Sequence, residues 1–417
     1  MELLFYFPLL LLSALLLVPT SSIRVNPEVD RLEHPALRLP LDHVSSSLSF
    51  LDVLALDAAR VKFLNSRLGK NLTTDVPGGL IEGTSVNVPL NPSESLGVGN
   101  YYTKIGASPV WPIAIHKPLL SLSCEASECS YLKDATLNSP MCTKSDKCVY
   151  TATYGDQSFS QGFLSKDTLT FGSETLPGFV YGCGQDNNGL FGKSAGLVGL
   201  AKSSLSMLSQ LSTKYGKAFS YCLPTASPLG KSGSGGYLSI GTHSISSAAS
   251  FTPLLSNSRD PSLYFVKLTA ISVSGKALGV AASDYNVPTI IDSGTTISRM
   301  AAPVYAALRE AVGKIISRKY KLVEAFSILD ACFAGTAAEI SSVVPAVEMR
   351  FMGGAALKLA PHNVVLEVER GTTYLSFAGN SDIRDSIGII GNQQQQTSEV
   401  VYDISNSRIG FVVGGCR

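Results

Sequence analysis

Residues 288–296 read Pro-Thr-Ile-Ile-Asp-Ser-Gly-Thr-Thr, and they carry the residue types from which acid–base chemistry is built. An apolar strand delivers Asp292 at its end, and Ser293 and Gly294 then turn the chain sharply. Thr295 is placed to hydrogen-bond back onto the carboxylate. A buried Asp surrounded by hydroxyl and N–H donors is held and tuned rather than solvated. The competing reading is local: Asp292 sits in the turn that leads to a helix beginning near Ala301 and acts as its cap.

The rest of the chain must position that carboxylate. At 417 residues it has room for two or three domains. A hydrophobic fraction of 45% against 16% charged residues excludes a disordered chain. Lys and Arg number 33 and Asp and Glu 32, so the net charge of +1 argues against a nucleic-acid-binding surface. The 37 Gly and 21 Pro favour many short strands joined by turns. The eight Cys form an even number, but so long a chain does not need disulfides in place of a core.

The apolar run 3–18 is shorter than the ~20 residues of a membrane helix, and the small residues Thr20, Ser21 and Ser22 follow it. It reads as a signal peptide covering 1–22, although Glu2 stands where Lys or Arg is usual. The oxidising compartment this implies favours bridged cysteines. Their spacing does not suit zinc: Cys124 and Cys129 have no matching His pair.

Residues 23–82 hold no Cys and contain a helical stretch, 49–68. There Leu51, Leu54, Leu56, Val61, Leu64 and Leu68 recur at helical spacing, with Asp57, Arg60, Lys62 and Arg67 between them. Asn71-Leu72-Thr73 is a glycosylation sequon, and Pro77-Gly78-Gly79 breaks the chain. An amphipathic, charged segment after a signal peptide reads as a pro-segment, and a helical hairpin packed on the body is the alternative. From Tyr101 onward strand patterns dominate. Residues 149–154 and 163–171 form a hairpin by pattern, and 227–250, rich in Ser and Gly, looks like a junction. A helix is expected over 301–316 with Tyr305, Leu308, Ala311 and Ile315 on one face. Gly196-Leu197-Val198-Gly199 recurs as Gly388-Ile389-Ile390-Gly391; such a Gly lets two backbones pass closely.

The chain resembles the pepsin-like aspartic proteases, in their secreted nepenthesin-like plant branch. The resemblance runs from Asn100 to Cys416 and includes Tyr154-Gly155-Asp156-Gln157-Ser158, Tyr181-Gly182-Cys183-Gly184, Phe219-Ser220-Tyr221-Cys222, Asp292-Ser293-Gly294-Thr295, Asp330-Ala331-Cys332-Phe333 and Ile389-Ile390-Gly391-Asn392. It implies a mostly β, bilobal fold with two pseudo-two-fold-related lobes: 83–245, shortened, and 246–417, carrying Asp292. It further implies a flap with Tyr154, Gly155 and Asp156, and an active-site loop of Asp292, Ser293, Gly294, Thr295 and Thr296. The expected partner is a polypeptide in the cleft between lobes. No cofactor, metal, nucleic acid or membrane span is implied, and the expected form is a secreted (apoplastic) monomer, with the vacuole as the alternative location.

The family's chemistry needs two carboxylates that share one proton, one activating water and one donating to the scissile carbonyl. Only Asp292 is present. Counting back from Gly199 by the interval that separates Asp292 from Gly391 arrives at Asn100, and no Asp or Glu occurs over 95–124. Residues 99–106 match the family's first strand, 107–122 do not, and matching resumes near Ser123. The sole Trp, Trp111, lacks the family spacing, and His116 reads as a surface residue. Tyr374 stands where the family usually has the partner of Cys332, so the even count hides broken pairs. The expected function is an aspartic endopeptidase whose hydrolysis is impaired. The alternatives are an inactive peptide-binding or inhibitor-like protein on the same fold, and the product of a shortened transcript.

Overall fold

The computed structural model describes residues 15–16, 37–43, 50–68, 101–102, 106–107, 120–154, 158–171, 174–188, 196–225, 236–380 and 387–416. The described chain is mostly β, as its turn-rich, β-branched composition requires. In the first half, Phe159–Phe171 pairs antiparallel with Cys148–Thr153 on one side and with Glu174–Asn188 on the other. The expected hairpin is present, with its return strand starting earlier, at Phe159. Cys129–Cys148 and Cys124–Cys142 staple this sheet to the segment before it.

A central sheet takes strands from both halves. Ala218–Cys222 lies between Gly236–Ile240 and Glu399–Asp403, and the latter pairs with Arg408–Val412. Tyr402 stacks on Phe219 at 4.2 Å between centroids, and Tyr264 meets Tyr402 edge-on at 4.8 Å. Cys222–Cys416 ties the chain's end to this sheet. The expected junction over 227–250 is therefore only partly a linker. It contains Gly236–Ile240, a fully buried strand whose Leu238 and Ile240 fill the core. On the outer side, Leu37–His43 pairs with it, and the backbone of Leu15–Leu16 pairs with Leu197–Val198.

The second half holds the sheet that positions the site. Its strand order is Phe265–Val266, Thr289–Ile291, Gly388–Ile390, Ser298–Met300, Phe377–Gly379. Thr289–Ile291 and Gly388–Ile390 run parallel, with Ile290 opposite Ile389. Both strands are buried, which suits their Ile-rich runs. The helix Ala302–Ile316 buries Val304, Tyr305, Leu308, Val312 and Ile316. Ala311 and Ile315, expected on that face, lie half-buried on its flank, because the buried stripe advances at a spacing of four.

Cys332 forms no disulfide, and its cross-strand partner in the antiparallel ladder is Tyr374. Tyr374 thus stands directly across the ladder from Cys332. Cys183 is also free and buried, so two cysteines lack the bonds that the even count suggested.

Candidate active site

The site grows from the end of Thr289–Ile291. Asp292 donates its N–H to the Ile390 carbonyl (3.0 Å), extending the parallel pairing by one residue and fixing where the side chain emerges. The turn then does what its residue types allow. Gly294 N–H reaches Asp292 Oδ1 at 3.1 Å, and the Thr295 hydroxyl donates to Oδ2 at 2.7 Å. Asp292 is fully buried. The cap of the helix Ala302–Ile316 is Ala301, so the local-cap reading of Asp292 does not hold.

Close backbone passage at Gly391 supports this loop. A Cβ there would stand 2.7 Å from the Thr296 carbonyl and 2.9 Å from that of Thr295, which only glycine tolerates. Asn392 N–H then bonds the Thr295 carbonyl at 2.7 Å. The repeat in the first half is different. Among the described residues nothing lies within 4 Å of where a Cβ would stand at Gly199.

The carboxylate of Asp292 is not open. Helix α1, Phe50–Leu68, lies across it, and Arg60 grips it bidentately: Nε to Oδ2 and Nη2 to Oδ1, both 2.8 Å. Burial alone would raise the pKa of Asp292. The Arg60 charge and the hydrogen bonds from Arg60, Thr295 and Gly294 outweigh it and hold the carboxyl below the ordinary range. Gly294 makes room for the guanidinium, since a Cβ there would lie 2.5 Å from Arg60 Nη2.

Asp57, one turn before Arg60, clamps the other side of the loop. Its oxygens accept N–H groups from Thr296 (2.8 and 3.0 Å) and Ile297 (2.8 Å). Burial pushes its pKa up despite the nearby Arg299 charge and those bonds. Further along, Asn65 Oδ1 accepts the Ile387 N–H at 2.9 Å. Arg67 pairs with Asp260, both side chains almost fully buried, and burial lowers the Arg67 pKa to about 10. Arg259 donates to the Leu68 carbonyl.

Of the residues expected at the site, Asp292, Ser293, Gly294, Thr295 and Thr296 form one loop. Tyr154 is placed by a different element, the end of Cys148–Thr153, where it is half-buried against the main apolar cluster. Gly155, Asp156, Trp111 and His116 fall outside the described residues. Sequence reasoning missed Asp57, Arg60, Asn65 and Arg67 as partners of the site. The signal that could have found them is a charge inside an apolar stripe: the buried face of α1 includes Asp57 and Arg67 beside Val53, Leu54, Leu64 and Leu68. Among the described residues no group of three His, Cys, Asp or Glu could hold a metal ion, and no helix is long and apolar enough to cross a membrane.

Residues 116–242 match the family profile described as Xylanase inhibitor N-terminal, and 263–412 match Xylanase inhibitor C-terminal. The chain is 35% identical to an aspartyl protease family protein of Arabidopsis thaliana, covering 89% of this chain and 83% of that one. It is 32% identical to the aspartic proteinase nepenthesin-2 of Nepenthes gracilis, over 71% of this chain and 66% of that one. The crystal structure of Basic 7S globulin from soybean shares the fold with a TM-score of 0.57 at 20% identity, over 72% of this chain and 84% of that one. The conglutin gamma structure from lupine seeds gives 0.57 at 19% identity, over 72% and 83%.

Proposed function

Because the chain belongs to the pepsin-like aspartic protease family, in its nepenthesin-like branch, we propose that it is an aspartic endopeptidase whose hydrolysis is impaired and whose second-half carboxylate is kept closed. One observation carries this reading: both oxygens of the buried Asp292 are taken by Arg60.

Peptide hydrolysis of this kind needs one ionised carboxylate to accept a proton from water and one protonated carboxyl to donate to the scissile carbonyl. Asp292 is held ionised, which suits the first role, but its lone pairs face a guanidinium instead of a water. For the second role the first half offers no Asp or Glu over 95–124. Asp57, the acid that the fold brings to the loop, directs both oxygens at backbone N–H groups. It acts as a clamp, not as a partner on the same water. Losing one of two acid–base groups costs roughly 10²–10⁴ in rate.

A second reading is a peptide-binding or inhibitor-like protein, which the descriptions of the two matched profiles favour. On either reading, segment 23–82 acts as a retained pro-segment with α1 as its closing element. Three disulfides favour an oxidising, secretory destination. The test is purified chain assayed on a denatured protein substrate across acidic pH, alongside a binding assay on the same substrate made uncleavable. Hydrolysis that pepstatin blocks and Asp292→Ala abolishes sinks the impaired reading; binding without hydrolysis selects the second one.

A further inference from the structure

We propose that the face of the second half under α1 is a helix-binding site that reads one charge pattern, and that segment 50–68 stays bound there as a separate chain once the links on either side of it are cut. The proposal rests on the reading above only in taking α1 as the element that closes Asp292.

The face has three zones. At one end Leu54 packs with Ile297, Leu329, Cys332 and Tyr374. In the middle Asp57 and Arg60 hold the loop 292–297 from both sides. At the other end Leu64 and Leu68 pack with Leu263, Phe265, Ile387 and Ile389, and Arg67 meets Asp260. Apolar ends with a polar centre define both place and register.

Only a helix presents this pattern. Asp57, Arg60 and Arg67 are spaced by three and seven residues, which puts them on one helical face. In an extended peptide the same intervals are odd, so neighbouring members of the set would point to opposite sides. The site therefore differs from a cleft that takes its ligand as a strand.

The face is also built to be covered. Without α1, Asp292 loses the Arg60 cation and Asp260 that of Arg67, the N–H groups of Thr296, Ile297 and Ile387 lose their acceptors, and side chains such as Leu263 and Ile389, now 0% exposed, meet water. The Arg67 pair supplies discrimination. Its Nε and Nη1 are buried with no acceptor among the described residues, so its burial leans on Asp260, which answers the charge, and on the Ser262 hydroxyl, which accepts from Nη2 at 3.4 Å. Tyr374, standing where a Cys332 bridge is missing, is part of the bed for Leu54.

The experiment uses the full chain with site-specific protease sequences placed at 44–48 and at 77–79, so that the released fragment carries 50–68 without the sheet strand Leu37–His43. After the cut, size exclusion and intact mass show whether the fragment carrying 50–68 travels with the body. A labelled synthetic peptide of residues 50–68 is then exchanged in, against a scrambled peptide and against Arg60→Ala and Arg67→Ala versions. The expected result is co-elution, slow exchange by the native peptide, none by the scrambled one, and a loss of roughly 30-fold or more in affinity for each Ala version. Separation of the fragment on the column, or equal binding by all peptides, overturns the proposal. The peptide arm requires no change in the body, so a folding failure cannot mimic either result. Hydrolysis by the cut sample is read separately: with the fragment still bound it removes the closing role and leaves the helix site standing, while loss of the fragment without hydrolysis does the reverse.

Discussion

Arg60 and Asp292, 232 positions apart in sequence, meet through two parallel 2.8 Å hydrogen bonds, with Asp292 wholly buried and Arg60 21% exposed. A fork-to-fork pair of this geometry is a strong contact between α1 and the body. Removing the cation strands a buried carboxylate.

Arg60→Ala is therefore expected to destabilise the chain by roughly 3–5 kcal/mol at neutral pH, the usual cost of breaking a buried pair from one side. Denaturant unfolding of the two proteins measures it, and a change within ±0.5 kcal/mol would show that the pair is not formed in solution.

The same variant has a signed pH dependence. In the native chain the Asp292 pKa is depressed, so its contribution is present above the unfolded value of ~3.9 and is lost only as pH falls through the lower folded value. Without Arg60, burial is opposed only by the Thr295 and Gly294 hydrogen bonds, and the pKa is expected to rise above the unfolded value. The penalty in the variant is then relieved as pH falls through that raised pKa. The stability gap between native chain and Arg60→Ala should shrink on acidification from pH 7 toward 4. Comparing the two proteins cancels groups such as His362, whose burial lowers its own pKa. A gap that widens over that range counts against the assignment.

The two repeated glycines should respond differently to Ala. At Gly391 the new Cβ meets two backbone carbonyls, so Gly391→Ala should cost several kcal/mol, at or beyond the ~1–3 typical of overpacking. At Gly199 no described atom lies within 4 Å, and Gly199→Ala should change stability by no more than about 1 kcal/mol. Thermal unfolding of both variants decides; equal, large losses would mean that a backbone segment passes Gly199 as one passes Gly391.

Thiol titration of denatured, unreduced protein should find two free thiols, Cys183 and Cys332. Tyr374→Cys places a thiol directly across the ladder from Cys332 and should leave one. It also takes a ring out of the bed for Leu54, so α1 should be held less tightly. Three thiols remaining in the oxidised variant, those of Cys183, Cys332 and the introduced cysteine, would show that the cross-strand register is different.

Much of this molecule could be read from local pattern. The Ile290-Ile291-Asp292 strand end, the Thr295 hydroxyl on its carboxylate, the hairpin after Cys148 and the helices, expected at 49–68 and 301–316 and found at 50–68 and 302–316, follow from spacing within a few residues, and Tyr374 opposite Cys332 from the resemblance. Periodicity reports which residues share a face, and turn chemistry reports where a strand must end, because both act over one or two turns of chain. What periodicity could not supply was the identity of the surface that each face meets. By periodicity Asp57, Arg60 and Arg67 are charges between the apolar residues of an amphipathic segment; the fold turns them onto Thr296, Asp292 and Asp260. Gly236–Ile240, in a Ser- and Gly-rich stretch, became a buried strand because Ala218–Cys222 and Leu37–His43 flank it. Contacts across some 200 residues depend on how the halves close, and local propensity has no term for that. The sequence by itself determined that this chain carries an Asp-Ser-Gly-Thr turn at a strand end, with Asp292 as its acid. Only the tertiary structure decided that a guanidinium from its own helix would be the group that Asp faces.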